Sequence, residues 1–198
     1  MRFSRNIENI NMSKTAEVAD LALSLKEQGH KIVNMATGEL SFKPALSIRK
    51  EACRTINKGE TLYTEVAGRK ELRDLISVKL KKDLKVEYKC DEIIVSNGGK
   101  QVIYNALQST INRGDEVIII SPYWVSYPEI IKLCGGRPKV LNTTRREGFS
   151  INTEKLEKLI TSKTKWIILN SPNNPTGVVY STETIKKLVL VLRKYPDI

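Results

Sequence analysis

The chain has 198 residues, of which 40% are hydrophobic, and a formal net charge of +11. This length suits one sizeable core, or one domain with a small appendage. No apolar run reaches the roughly 18 residues that a membrane-spanning helix needs, and no secretory h-region opens the chain, so we expect neither membrane insertion nor secretion. Three scattered cysteines without a C-x-x-C pair fit a reducing cytoplasm and a protein that holds no metal.

The basic charge raises the alternative of an anionic partner such as nucleic acid. The lysines are spread along the chain, however, and the densest groups, at residues 79–82 and 186–187, lie on predicted solvent-exposed helix faces. No zinc-finger spacing, aromatic RNA-binding motif or arginine-rich arm accompanies them. We therefore expect a lysine-rich surface and no nucleic-acid partner, and a basic nucleic-acid-binding module is kept as the alternative.

The first 40 residues are predicted to form a segment of their own. A helix follows the capping residue Ser13 and ends at Gly29, because apolar residues recur between them at helical spacing. A short apolar strand is predicted at residues 32–35. We therefore place a boundary after residue 40, so that residues 1–40 form an N-terminal segment and residues 41–198 form the larger domain.

From residue 41 onward the pattern alternates between helix and strand. Two helices come first, the first opened by Pro44 and the second following Gly68. Strands are then predicted at residues 93–96, 116–121, 139–141 and 166–170. Helices are predicted between the first two strands, between the last two and after the last one. The run at 116–121 is apolar on both faces, which is typical of a central strand in a parallel sheet. The fold class is therefore α/β, with a mostly parallel sheet covered by helices.

Residues 96–101, with the sequence S-N-G-G-K-Q, join a predicted strand to a helix. Glycines let backbone N–H groups approach an anion, and the start of a helix adds partial positive charge. A phosphate site is one interpretation of this segment, and a tight turn that uses glycine for steric reasons is the other. The segment matches neither the P-loop nor the dinucleotide-binding G-x-G-x-x-G pattern.

Residues 121–127, with the sequence S-P-Y-W-V-S-Y, follow the predicted central strand. Ligands of parallel α/β sheets bind beyond the carboxyl ends of the strands. Three aromatic side chains at that place offer flat faces on which a heteroaromatic ring can stack. The alternative is a packed crossover loop without a ligand.

Residues 170–177, with the sequence N-S-P-N-N-P-T-G, follow another apolar strand. Two prolines and a terminal glycine fix an irregular loop, and asparagine amides can donate to an oxygen or accept from an amine. A string this constrained favours a functional loop over an ordinary surface connection.

Together and in this order, the three segments resemble the class I and II aminotransferases, specifically the bacterial aspartate aminotransferase branch. The resemblance extends upstream through residues 62–73 to residues 36–39, so it covers nearly all of the chain. It implies the fold-type-I architecture of pyridoxal-phosphate-dependent transferases, in which residues 41–198 form part of the large domain and residues 1–40 part of the small one. It also implies pyridoxal 5′-phosphate as cofactor, an amino acid and a 2-oxo acid as substrates, and a homodimer.

The resemblance also implies which residues bind the cofactor. The backbone of Gly99 and Lys100 would bind its phosphate, with Gln101 beside them. Trp124 would stack on the pyridine ring, and Asn174 would donate to the phenolic oxygen, which favours electron withdrawal by the ring. Trp124 and Asn174 would face the substrate as well.

Two further residues belong to the same resemblance. Gly38 is similar to the glycine whose backbone touches the amino-acid substrate. Tyr63 is similar to the tyrosine that reaches the cofactor phosphate of the partner subunit. The family usually has G-E-P-D-F where this chain has G-E-L-S-F at residues 38–42, so a proline and an aspartate are replaced near the substrate. We expect this replacement to alter closure around the substrate.

The Schiff-base lysine of the family has no counterpart in these 198 residues. Lys100 opens the phosphate-binding helix and is no simple substitute for it. The resemblance therefore implies an aspartate aminotransferase, moving an amino group from L-aspartate to 2-oxoglutarate, that stops before its catalytic lysine and is inactive alone. Prephenate and aromatic substrates stay open. The alternative is a non-catalytic remnant, or one half of a split enzyme, that only binds cofactor or a partner subunit.

Overall fold

The computed structural model describes residues 4–8, 10–36, 38 and 40–198. Its elements, in chain order, are α1 (Arg5–Glu8), α2 (Lys14–Glu27), α3 (Leu46–Asn57), α4 (Lys70–Leu84), α5 (Gly98–Thr110), β1 (Glu116–Ser121), α6 (Ser126–Leu133), β2 (Arg137–Asn142), α7 (Thr153–Leu159), β3 (Thr164–Ile168) and α8 (Thr182–Leu192). Single turns of 3₁₀ helix lie at Cys90–Glu92 and Arg145–Glu147.

The three strands form a parallel sheet in the order β2-β1-β3. In its register Ile119 of β1 lies opposite Val140 of β2 on one side and opposite Ile168 of β3 on the other. Parallel neighbours need crossover connections, and α6 and α7 lie in those connections. The predicted α/β fold with a helix-covered parallel sheet is confirmed, as is the central place of the run at 116–121.

Side chains of β1 alternate between two separate cores. On one face, Val117 and Ile119 pack with Leu107 of α5 and Ile131 of α6, and all four are almost fully buried. The period of two along a strand sends their neighbours to the opposite face. One six-residue strand therefore contributes to both cores.

The second core lies under the last two helices. Ile118 and Ile120 of β1 pack there with Leu156 of α7 and Leu188 of α8. The two helices begin at capping residues, because the side chains of Asn152 and Ser181 accept backbone hydrogen bonds from the third residue beyond them. The apolar run that the sequence places at 116–121 is thus covered on both sides.

The chain divides into two compact units, residues 1–21 with 103–198 and residues 22–102. The first contains all three strands and is named the sheet unit below, and the second is named the helical unit. In the helical unit, neither α3 nor α4 contains a buried residue. The predicted boundary after residue 40 stays a prediction.

Two predicted strands are wrong. Residues 32–35 form no strand and are exposed. Residues 93–96 begin with extended backbone at Ile93 but form no strand. Among the described residues, their backbone donates one hydrogen bond to a distant segment, from Val95 N to Ala67 O at 2.9 Å, and one such bond makes no ladder. The last strand is displaced by two residues, to Thr164–Ile168, and α6 begins at Ser126, inside a segment predicted as a loop.

Candidate functional site

The first candidate segment is the start of α5, in the helical unit. Helix α5 begins at Gly98, directly after the extended segment, and its first turn contains no acidic residue. Gly98 has a φ of +80°, in the left-handed region that glycine tolerates and other residues rarely adopt. A Cβ built on Gly99 would meet no atom within 4 Å. The helix start therefore offers open space beside backbone N–H groups, as an anion site requires.

Gln101 and Lys100 follow in the same turn and are both exposed. The Gln101 side-chain oxygen accepts a hydrogen bond of 2.6 Å from the backbone N–H of Asn97. This contact closes the turn around the two glycines. The glutamine predicted beside a cofactor phosphate thus also shapes the loop, a role that the sequence motif did not reveal.

A close backbone contact holds the extended segment before α5. Gly68, with φ +94°, lies against Val95 so tightly that an added Cβ would stand 2.8 Å from the valine Cβ. The neighbouring residue, Ala67, accepts the backbone hydrogen bond from Val95. A side chain at residue 68 would separate the two segments, so glycine is required there.

Arg73 of α4 connects the same two segments through its guanidinium. Its Nε donates to Gly68 O at 2.9 Å, and its Nη1 donates to Cys90 O at 3.0 Å. A third N–H donates to the carboxylate of Glu65, and this hydrogen bond raises the pKa of Arg73 above its ordinary value. Only 12% of the arginine side chain is exposed. We name these contacts of Arg73 with Glu65, Gly68 and Cys90 the arginine latch.

Tyr63 and Gly38 belong to the helical unit as well. The Tyr63 side chain is fully exposed, and it lies in the loop that the arginine latch holds at Glu65. Gly38 is exposed, and an added Cβ would meet no atom within 4 Å. Thr37 and Glu39, which belong to the motif around Gly38, lie outside the described residues.

The second candidate segment, in the sheet unit, carries Trp124. It leaves β1 at Ser121, and α6 begins five residues later at Ser126. The indole of Trp124 is half-buried and packs edge-to-face on Tyr127, with ring centroids 5.5 Å apart and an interplanar angle of 88°. Tyr127 is buried in the core under α6, and Trp124 packs against that core. The contact with Tyr127 therefore fixes one side of the indole.

The third candidate segment, residues 170–177, begins two residues after the end of β3. Asn173 is half-buried, and its side-chain amide donates to Pro122 O and to Thr176 Oγ1, both at 2.9 Å. Asn174 is exposed. The peptide bonds that precede Pro122, Pro172 and Pro175 are cis.

The second and third segments meet at one edge of the sheet. β1 and β3 are parallel neighbours, so their carboxyl ends lie side by side. The hydrogen bond from Asn173 to Pro122 joins the two loops directly. Of the predicted site residues, Trp124 and Asn174 therefore share this edge, whereas Gly38, Tyr63 and residues 99–101 belong to the helical unit.

Two of the thiols are poor nucleophiles. The Asp74 carboxylate, by hydrogen bonding, and to a lesser degree burial raise the pKa of Cys90. Burial alone raises the pKa of Cys134. Both groups stay protonated near neutral pH. Within the described part of the chain, no group of three or more His, Cys, Asp or Glu side chains is placed to hold a metal ion. None of the helices in those residues combines the length and the hydrophobicity that a membrane-spanning helix needs.

Curated relatives resemble the chain over nearly its whole length. It is 43% identical over 192 residues to a probable aspartate/prephenate aminotransferase of Rhizobium leguminosarum bv. phaseoli, a match that covers 97% of this chain and 48% of the relative. It is also 43% identical over 198 residues to the aspartate/prephenate aminotransferase of Nitrosomonas europaea, covering 100% of this chain and 50% of the relative. The chain spans about half the length of the curated relatives it matches.

Solved structures agree with the sequence relatives. The aspartate aminotransferase of Rhizobium meliloti superposes with a TM-score of 0.94 at 35% identity, covering 100% of this chain and 49% of that one. The Thermus thermophilus aspartate aminotransferase with maleate gives a TM-score of 0.93 at 37% identity, covering 98% and 51%. The sequence model of the family "Aminotransferase class I and II" matches residues 30–198. The chain therefore belongs to the class I and II aminotransferases.

Proposed function

We propose that this chain forms the cofactor-binding part of an aspartate aminotransferase that uses pyridoxal 5′-phosphate. The observation that carries the proposal is the sheet edge where a half-buried indole and an exposed asparagine lie on two loops joined by a hydrogen bond. An aromatic platform and an amide donor at the carboxyl ends of adjacent strands suit a flat heteroaromatic ligand with a polar substituent.

The described residues fit such a cofactor. The start of α5 gives open space at Gly99 and no acidic side chain in its first turn, as a phosphate needs. In the proposal the backbone at Gly99 and Lys100 holds the phosphate and Gln101 keeps the turn closed. Trp124 stacks on the ring, and Asn174 donates its amide hydrogen to the phenolic oxygen.

Bound pyridoxal phosphate would supply an electron sink for the bonding pair released at the amino-acid α-carbon. The chain's own residues would orient the cofactor and hold it in place. The indole of Trp124 excludes water from one ring face, and the Asn174 amide stabilises negative charge on the phenolic oxygen. Gly38 is proposed to present its backbone to the substrate, with Trp124 and Asn174 lining the same place.

The proposed reaction moves an amino group from L-aspartate to 2-oxoglutarate. The names of the curated relatives support aspartate and add prephenate as a second oxo-acid substrate. We further propose a cytoplasmic homodimer in which Tyr63, fully exposed in the single chain, reaches the cofactor phosphate of the partner subunit. The alternative of a non-catalytic remnant, or of one half of a split enzyme, predicts cofactor or subunit binding without turnover.

Binding of pyridoxamine 5′-phosphate to the purified chain tests the cofactor site. This amine form of the cofactor has no aldehyde, so it cannot form a covalent imine with the many surface lysines. In a Trp166→Phe background the remaining tryptophan is Trp124. We expect saturable quenching of Trp124 emission that inorganic phosphate competes away and that pyridoxamine, lacking the phosphate, reproduces only weakly.

Gly99→Ala is the matched variant for the phosphate end of the site. The added methyl meets no protein atom within 4 Å, so folding should be unchanged, but it occupies the space through which the phosphate approaches. We expect affinity to fall about tenfold, equal to about 1.4 kcal/mol. Quenching that is indifferent both to the phosphate group and to Gly99→Ala would contradict the proposed site.

Turnover is a separate test of the same chain. Without the family's Schiff-base lysine, the 198-residue polypeptide alone is expected to produce no oxaloacetate from aspartate and 2-oxoglutarate. Turnover at ordinary enzymatic rates by the purified chain would contradict this expectation.

A further inference from the structure

The two adjacent asparagines of the third segment differ in what their side chains contact. Asn174 is exposed, whereas Asn173 is half-buried and its amide reaches out of its own loop to the carbonyl of Pro122 at 2.9 Å. Pro122 lies two residues before Trp124 in the neighbouring loop. The Asn173 side chain is therefore a direct link between the loop of the indole and the loop of the exposed amide.

The backbone of Asn173 is held as firmly as its side chain. Its N–H donates to Val178 O at 2.9 Å, and its carbonyl accepts from Gly177 N at 2.7 Å. The second amide hydrogen donates to Thr176 Oγ1 at 2.9 Å. With both backbone groups and both amide hydrogens in use, the amide has one orientation available, and this orientation fixes the distance between the two loops.

We infer that Asn173 is a positioning residue that sets Trp124 relative to Asn174. Its contribution to cofactor binding rests on the proposed function, whereas the link between the loops does not. Asn173 touches neither the ring nor the substrate in this scheme. It acts through Pro122 on the indole and through its own backbone on the next residue.

Two variants remove the link. Asn173→Ala deletes the amide, and Asn173→Asp keeps its shape but places a carboxylate oxygen opposite Pro122 O, where two acceptors repel. Ser171→Ala is the matched control, because Ser171 Oγ accepts from Tyr180 N at 3.1 Å within the same segment but makes no contact with the Trp124 loop in the described hydrogen bonds. Far-ultraviolet circular dichroism selects the variants that fold.

The first readout needs no cofactor. In the Trp166→Phe background, we expect both Asn173 variants to shift the Trp124 emission maximum and to speed hydrogen exchange in the peptide that covers residues 121–127. Ser171→Ala should leave both signals at the parent values. Unchanged signals in the Asn173 variants, or equal changes in Ser171→Ala, would overturn the inference.

The second readout is affinity for pyridoxamine 5′-phosphate. We expect about a tenfold loss in the Asn173 variants, the usual scale for one well-placed hydrogen bond, and little loss in Ser171→Ala. The parent chain could bind no pyridoxamine phosphate while the Asn173 variants still change the Trp124 emission and exchange signals. This outcome would refute the proposed function and support the link between the loops. Full affinity in an Asn173 variant with displaced Trp124 emission would refute the positioning role.

Discussion

The sheet unit and the helical unit are stabilised in different ways. Among the residues that the structure describes, every large side chain with less than 2% exposure, such as Leu107 and Ile118, lies in the sheet unit. In the helical unit the arginine latch joins separate segments through hydrogen bonds, and neither α3 nor α4 contains a buried residue. Of the residues predicted to bind the cofactor, Trp124 and Asn174 therefore belong to the unit with the packed core, and Gly99 belongs to the helical unit.

The largest effect is expected from deleting core volume in the sheet unit. Ile118 is fully buried in the core beneath α7 and α8. Ile118→Ala should lower the free energy of unfolding by about 2–5 kcal/mol, through lost burial and the cavity left behind. Urea denaturation of the variant and the parent measures this difference in the free energy of unfolding.

The matched substitution in the helical unit is Leu75→Ala on α4, where 66% of the leucine is exposed. Its effect should stay within about 0.5 kcal/mol. Equal losses for the two variants would show that the two units do not differ in the way described.

The next largest effect is expected at the arginine latch. Arg73→Met keeps the length of the side chain but leaves the carbonyls of Gly68 and Cys90 without their donor. We expect hydrogen exchange at the Val95 amide, which is bonded to Ala67, to speed up roughly tenfold while amides of β1 keep their protection. Arg69→Met, which removes an exposed arginine of the same helix start, is the control.

The smallest effect concerns pH. Hydrogen bonding by Thr161 Oγ1, at 2.6 Å, and the nearby Lys139 ammonium hold the pKa of Glu116 in β1 below its ordinary value of 4.5. A carboxylate with a lowered pKa stabilises the fold above its ordinary pKa, and this contribution is lost as pH falls through the lowered value. Glu116→Gln should therefore be less stable than the parent at pH 7, and the difference should shrink in acid.

Glu51 on α3 is the comparison for this pH dependence. A hydrogen bond from Arg54 lowers the pKa of Glu51, but both side chains are largely exposed. Solvent screens such a pair, so Glu51→Gln should show no measurable change in stability between pH 7 and acid. Urea midpoints of both variants across the acid range measure the contrast, and a larger acid response at Glu51 than at Glu116 would contradict it.

Much of the sheet unit could be predicted from the sequence, because its patterns are local. The run at 116–121 is apolar on both faces, and a buried central strand is what such a run forms. Helices α5, α7 and α8 could be predicted for the same reason, because the apolar spacing that indicates each helix lies within it. Helix α6 was not predicted, because its start at residues 126–127 lies in a segment that was interpreted as a loop.

The rest depends on contacts between distant segments. Residues 93–96 have the composition of a strand, but a strand needs a neighbour that pairs along its length, and here Val95 finds one hydrogen bond. The sequence also indicated that asparagines matter in residues 170–177. Asn173, and not the adjacent Asn174, turns its amide toward Pro122. This choice depends on the spacing of two loops that are about 50 residues apart in sequence, and no local pattern encodes it.

The alternation of β1 between two cores limits how the protein can tolerate substitutions. A change of volume at Ile119 has to be accommodated by residues such as Leu107 and Ile131, whereas a change at Ile118 has to be accommodated by Leu156 and Leu188. Neighbours in the strand cannot compensate for one another, because the strand backbone separates their side chains. Second-site suppressors of a β1 mutation should therefore arise in one specific pair of helices, chosen by whether the mutated position is odd or even.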